Sequence, residues 1–228
     1  MARIDLDALR RTPAYPFAEA AHYLRLPTST LRSWFLGQHR FRPLIRLDGD
    51  RGEGLSFLNL VEAHVLASIR RGHGLSLPKV RRSLAYVSDH LGIDRPLSAV
   101  EFQTNGVDLF LEQLGELLNV SKEGQVEMHA LMKAYLRRIK RDYLGVPIKL
   151  YPFTRTNAPL SAKAPTTVEM DPRIAFGRPV LVGTAVPTAV LADRFKAGDT
   201  LSDLAADYDT STDKIEEAIR CEFDRQAA

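Results

Sequence analysis

Residues 15–35, YPFAEAAHYLRLPTSTLRSWF, constrain the fold more than any other stretch of the chain. Phe17, Ala20, Ala21 and Leu24 recur at i, i+3, i+4 and i+7, which lays one apolar stripe along a short helix. Pro27 cannot continue that helix and disfavours helical backbone in the residue before it. Thr28 or Ser29 can cap a second helix, on which Leu31, Trp34 and Phe35 share a face. Two short helices joined by a tight turn predict a helix-turn-helix, with Thr28, Ser29, Arg32 and Ser33 on the outer face of the second. A guanidinium can clamp a guanine edge, and hydroxyls can reach bases or phosphates, so this face carries the side chains of a major-groove reader. The same spacing also fits an ordinary helical hairpin with a solvated polar face.

The following stretch, GQHRFRPLIRLDGDRGEGLSF, sets Arg40, Arg42, Arg46 and Arg51 around two apolar runs, Leu44–Leu47 and Leu55–Phe57. The Gly/Asp cluster Asp48–Gly54 predicts a hairpin turn between the runs. A basic hairpin directly behind a helix-turn-helix is a wing, placed to touch the phosphate backbone. Two more helices are predicted, from about Asn59 to Arg71 and from about Leu77 to Leu91, with Gly72 and Gly74 between them and Gly92 as the stop. At this point EAAHYLRLPTSTLRSW, the wing and IRRGHGLSLPKVRRSL together resemble the winged-helix DNA-binding domain of MerR-type regulators, over about residues 14–91. That resemblance implies operator DNA as a partner, with Tyr15 grouped among the DNA-contacting residues. A single winged helix reads one half-site, so a two-fold homodimer is expected.

Charge is distributed in the same sense. The net charge is only +3, but residues 1–95 hold 15 Lys/Arg against 9 Asp/Glu, whereas residues 166–228 hold 7 against 12. A basic front with an acidic back suits a chain whose front alone meets nucleic acid. One cysteine, Cys221, excludes an intramolecular disulfide, which suits a reducing compartment. The amino terminus lacks the apolar run of a signal peptide, and no stretch is long and apolar enough to span a bilayer. A soluble cytoplasmic protein is expected.

In the middle, Asn105–Gly106 between VEFQT and VDLFLEQ predicts a β-hairpin. A long helix is then predicted from Gln125 to Leu144, with Met128, Leu131, Met132, Tyr135 and Ile139 inward and Lys133, Arg137, Arg138, Lys140 and Arg141 on a basic outer face. That face is a solvated surface or a protein contact. A strand at Val146–Phe153 would complete a small α+β unit. MerR regulators instead continue into a long coiled-coil helix, so their habit of sensing metals or drugs does not carry over. Thr154–Thr167 is rich in Pro, Ala, Ser and Thr and reads as a linker.

The last segment offers short apolar runs at Val168–Met170 and Pro179–Val182, then three helices opening at Pro187, at Thr200 or Ser202, and at Ser211 or Thr212. The third helix is read as displaying Asp213, Glu216, Glu217, Glu222 and Asp224, a surface that phosphate would avoid. The string DPRIAFGRPVLVGTAVPTAVLADRFKAGDTLSDLAADYDTSTDKIEEAI is similar to a small prokaryotic domain of unknown function that recurs in antitoxins of type II toxin–antitoxin modules. Its most specific part is the G-R-P…G-T…V-P core, from which the chain departs mildly at Ala185. The resemblance implies a VapB-type antitoxin that neutralises a PIN-like ribonuclease toxin.

Together these readings predict a mainly α chain with small β elements. A MerR-like winged helix-turn-helix occupies 1–95, an α+β middle region 96–153, a linker 154–167, and a three-helix, helix-turn-helix-like domain with short strands 168–228. Lys133, Arg137, Arg138 and Arg141 are the candidate toxin contacts, and Pro179, Val180, Leu181 and Val182 the candidate dimer contact. No enzyme is predicted. The six histidines stand apart from one another and from acid pairs, no phosphate-binding Gly-Lys-Ser/Thr or Gly-x-Ser-x-Gly elbow occurs, and neither metal nor cofactor is expected. Cys221 lies beside Ile219 and Phe223 and reads as a buried structural thiol. The competing function is a stand-alone MerR-like regulator whose rear portion binds a small effector or only dimerises.

Overall fold

The run FLNLVEAHVLASI is largely apolar and leaves no wide polar stripe, so its helix belongs in the interior. In the computed structural model, which describes residues 5–38, 41–50, 52–71, 75–118, 122–155 and 164–223, that helix is α4 (Phe57–Arg71), buried from Phe57 through Ile69. Around it pack α1 (Leu6–Arg11), α2 (Phe17–Leu24), α7 (Lys122–Leu136), the 3-10 turn Pro96–Ser98 and β2 (Pro147–Leu150). The chain is mainly helical, with a few small antiparallel strand pairs.

The first helical pair forms, but Pro27 and not Thr28 or Ser29 is the N-cap of the second helix, with no side-chain cap hydrogen bond. Phe17, Ala20, Ala21 and Leu24 are buried on α2, and Leu31, Trp34 and Phe35 are buried on α3 (Thr28–Leu36). Arg25 ends α2 in the left-handed conformation (φ 55°). Helix α5 (Leu77–Leu91) opens with Pro in its first turn and closes on left-handed Gly92.

Two expectations fail. The hairpin of the wing is absent among the described residues: Leu44–Leu47 forms no strand, and Phe57 already belongs to α4. Other partners take up the backbone of this segment. Leu44 and Ile45 donate to the Trp34 carbonyl, and Leu55 pairs in an isolated antiparallel bridge with Tyr15. The hairpin at Asn105–Gly106 is also absent, because this stretch is helical and runs through a π-turn (Phe102–Gly106) into α6 (Val107–Leu118). Its buried residues, Phe102, Val107, Phe110, Leu111 and Leu114, follow a helical spacing rather than an alternating one. Gly106 sits in the helix with the Phe102 ring packed where a Cβ would point, 2.9 Å away.

The middle hairpin exists, but elsewhere. Helix α7 stops at Leu136, and Ile139–Arg141 (β1) turns back through Asp142–Gly145 to pair with β2, setting Ile139 opposite Leu150. Asp142 accepts the N–H groups of Leu144 and Val146, and Gly145 takes a positive φ of 79°. The helix predicted over Gln125–Leu144 therefore ends eight residues earlier and begins three residues earlier.

At the rear, β3 (Val168–Glu169) pairs with β4 (Val180–Leu181), and α8 (Thr188–Ala197), α9 (Leu201–Asp207) and α10 (Thr212–Phe223) follow as expected. Thr200 and Asp203 form a reciprocal capping box on α9. Contacts cross every boundary drawn from the sequence. Leu150 and Met170 exchange backbone hydrogen bonds (3.0 and 2.8 Å), Lys149 pairs with Glu169 (2.8 Å), and the Tyr15 hydroxyl donates to the Gly177 carbonyl (2.9 Å). Buried Arg25 donates to the carbonyls of Phe153, Thr154, Arg220 and Cys221, tying the turn between α2 and α3 to the end of α10. Glu217 is not displayed: it is buried and held by Thr154 and Arg155. Cys221 is buried as read, and burial pushes its thiol up to about 12.

His64 lies in the middle of α4 against Tyr135 and Phe153, its Nε2 3.1 Å from the Tyr135 carbonyl. Burial pulls its pKa down to about 3 from an ordinary value near 6.5. Between those values the unfolded chain binds a proton that the folded chain refuses. Stability from this residue is therefore complete above about pH 6.5 and is lost as pH falls toward 3, by about 1.4 kcal/mol per pH unit. In urea titrations between pH 6 and pH 4, His64→Gln should flatten the acid decline by roughly that slope. Equal slopes in the two proteins would show that His64 takes up a proton without unfolding.

Candidate nucleic-acid interface

The outer face of α3 has the predicted composition. Ser29 and Arg32 are exposed, and Thr28 and Ser33 are half-buried, with Ser33 donating its hydroxyl to the Thr30 carbonyl (2.7 Å). The Arg32 guanidinium rests 5.3 Å from the Phe17 ring centroid, a cation–π contact that restricts the side chain while leaving it in solvent. Behind α3 the chain turns at Gly37 (φ 78°), where a Cβ would come within 2.5 Å of the Phe41 carbonyl oxygen, and this close approach carries residues 41–45 beneath the end of the helix.

Arg42 is exposed, and its carbonyl accepts from Arg81 on α5 (2.6 Å). This joins the start of α5 to the basic loop and adds Arg81, together with exposed Arg82, to the cationic surface. Neither residue stood out in the sequence, although KVRRSL places both at the head of a helix; only the loop contact shows what they adjoin. Arg46 is exposed but already paired with Asp94 (2.9 Å). Arg40 and Arg51 lie outside the described residues. Tyr15 does not belong to this surface: it is 2% exposed, with its hydroxyl spent on Gly177.

The loop carrying Arg42 and Arg46 is held from below by a buried polar cluster. Arg95 meets Glu62 (2.5 and 2.9 Å) and Asp48 (2.5 Å), while Ser56 and Asn59 bond to Asp48 and to the Arg46 carbonyl. Burial pushes Glu62 up, more than Arg95 and Asn59 pull it down. The position of the basic loop thus depends on side chains of α4 and not on strand pairing.

The residues read as toxin contacts separate into two groups. Lys133 and Arg137 are exposed. Arg138 is buried, donating to the carbonyls of Tyr151, Pro152, Ala164 and Pro165 and lying 4.4 Å from the Phe153 ring centroid. Arg141 is half-buried and donates to the carbonyls of Ser98, Ala99 and Gly145. The shared basic face disappears because the helix ends before these two residues, leaving Arg138 in the turn that follows α7 and Arg141 at the end of β1. Pro179, Val180 and Leu181 are buried within the chain's own core, and Val182 is half-buried. The β3–β4 pair covers the apolar run expected to make the dimer contact. Among the described residues no cluster of His, Cys, Asp and Glu could hold a metal ion, and no helix is long and apolar enough to cross a membrane.

Residues 168–220 match the family described as a protein of unknown function (DUF433). Over 94% of this chain and 96% of its own length, a Mycobacterium tuberculosis protein named "Putative antitoxin VapB45" is 29% identical. A second protein of that organism, named "Uncharacterized protein Rv2308", is 24% identical over 96% of this chain and 93% of its own. Among solved structures, the crystal structure of Rv2018 from M. tuberculosis superposes with a TM-score of 0.69 at 24% identity, covering 91% of this chain and 97% of that one. The two chains share a fold. The likeness spans the front, middle and rear alike, in keeping with the contacts that tie them together.

Arg138→Ala should lower the unfolding free energy by about 2–3 kcal/mol or more, because it leaves buried carbonyls without a donor. A variant of wild-type stability in urea would return Arg138 to the surface.

Proposed function

We propose that this chain is the antitoxin of a type II toxin–antitoxin module, binding a PIN-like ribonuclease toxin through its rear portion and operator DNA through its front. The observation that carries the reading is similarity along nearly the whole chain to a protein bearing an antitoxin name. The match of residues 168–220 to the DUF433 family model agrees with it. DNA binding draws its support from the exposed Ser29, Arg32, Arg42 and Arg82, with half-buried Arg81 between them, on and beside the second helix of a helical pair. The protein acts by covering surfaces, and no catalysis is assigned to it.

The antitoxin role is tested by co-expression. The product of the adjacent gene should arrest growth and degrade RNA when expressed alone, and this chain should abolish both effects while forming a stable complex with it. Persistent arrest with no complex would discard the reading and favour a stand-alone regulator. On the DNA side, Arg32→Ala should weaken operator binding by about 1–3 kcal/mol and relax sequence preference, as loss of a base clamp does. Arg42→Ala should weaken binding to all DNA alike and reduce the salt slope by about one unit. Mobility shifts over a salt series decide both, and a sequence-dependent loss from Arg42→Ala would exchange the two roles.

A further inference from the structure

We propose that Phe176 is the anchor of a protein–protein contact, received by an acidic partner surface with an apolar socket; resting on the antitoxin reading, that partner is the toxin. Three successive residues, Ala175, Phe176 and Gly177, take left-handed backbone, with φ of 48°, 55° and 82°. Only the last is glycine, and side chains resist this conformation. Phe176 is nevertheless 90% exposed, so no packing within the chain offsets the strain. The turn is fixed in place. Gly177 accepts the buried Tyr15 hydroxyl, and a Cβ at Gly177 would meet that oxygen at 2.1 Å. A large ring held in solvent by a rigid turn is already organised for burial in a partner.

Its surroundings define the partner. Phe176 stands at the rim of a mostly apolar cavity of about 370 Å³ lined also by Leu9, Pro13, Ala14, Phe57 and Arg178. Two ion pairs flank the turn, and in each the cation is the outer member. Arg178 is 57% exposed against 23% for Glu19, and Arg173 is 45% exposed against 0% for Asp171. The face offered to a partner is therefore apolar and positive. A two-fold contact of this patch with itself would set arginine against arginine, which disfavours a second copy of the chain. Carboxylates around an apolar socket complement it.

The test uses the full chain and the protein encoded by the adjacent gene, with affinity measured by calorimetry at low and high salt. Phe176→Gly suits the left-handed backbone, so its melting temperature should equal or exceed that of the wild type, while affinity for the partner falls by at least about ten-fold. Arg178→Gln should weaken the complex mainly at low salt. Equal affinity of Phe176→Gly and wild type would overturn the anchor and leave the antitoxin reading standing. A Phe176→Gly variant that turns a dimer into a monomer in light scattering, with partner affinity unchanged, would overturn it in favour of a self-contact. A wild-type chain that does not bind the neighbour's product would overturn the antitoxin reading, and this assignment with it.

Discussion

Helix α4 is buried on every side and yet carries Asn59, Glu62, His64 and Ser68. A buried polar group without a partner costs about 1–3 kcal/mol, so each of these must be answered from a neighbouring element. Ser68 is satisfied within the helix by the Val65 carbonyl. The other three reach outward. Asn59 takes the backbone of the basic loop at Arg46 and Asp48, Glu62 takes Arg95 from the connection after α5, and His64 takes the carbonyl that α7 exposes at Tyr135. Loop, connection and helix end are thereby set around a single rod. Arg71, at the end of the same helix, donates to the Arg25 carbonyl and so holds the turn between α2 and α3.

From that turn the constraint passes to the rear. Residues 151–155 cross between the halves as irregular, largely buried chain, where no ladder satisfies the carbonyls. Two arginines supply the donors: Arg25 reaches Phe153 and Thr154, and Arg138 reaches Tyr151 and Pro152. The guanidinium suits this work because its five donors fan out in one plane and can serve several carbonyls at once. Arg25 also holds the last carbonyls of α10, so the helical pair at the front and the three helices at the rear meet on one side chain. Surfaces that remain outside this framework include the outer face of α3 with the loop and α5 beside it, the exposed Lys133 and Arg137, and the strained turn at Phe176.

Much of the fold could be read from local pattern. The apolar spacing of α2, α3, α5, α8, α9 and α10, the prolines and glycines that bound them, the Thr200 cap and the buried Cys221 each depend on residues within a few positions of one another. The errors arose where local signals were ambiguous. Asn105–Gly106 reads as a hairpin in isolation, but burial of Phe102, Phe110 and Leu114 on one side makes the stretch a helix. The actual hairpin, at Asp142–Gly145, lacks an Asn-Gly turn and is made by one aspartate accepting two backbone N–H groups.

Side-chain destinations were the least legible part. A run such as Lys-Ala-Tyr-Leu-Arg-Arg-Ile-Lys-Arg determines helical propensity and charge, and from those alone every cation belongs on a solvated face. Whether Arg138 points to water or into the core depends on where the helix ends, and that depends on Ile139 pairing with Leu150 eleven residues away. Likewise Pro179–Leu181 reads as an apolar strand in search of a partner, and β3 from the same chain provides one. Phe176 carries no local signal in the sequence, and only its φ and its exposure single it out. Sequence by itself determined α2 to α5 and α8 to α10, because helix formation rests on neighbours three and four residues apart. Tertiary structure decided which charges remain available for a partner, because burial is settled by segments far apart in the chain.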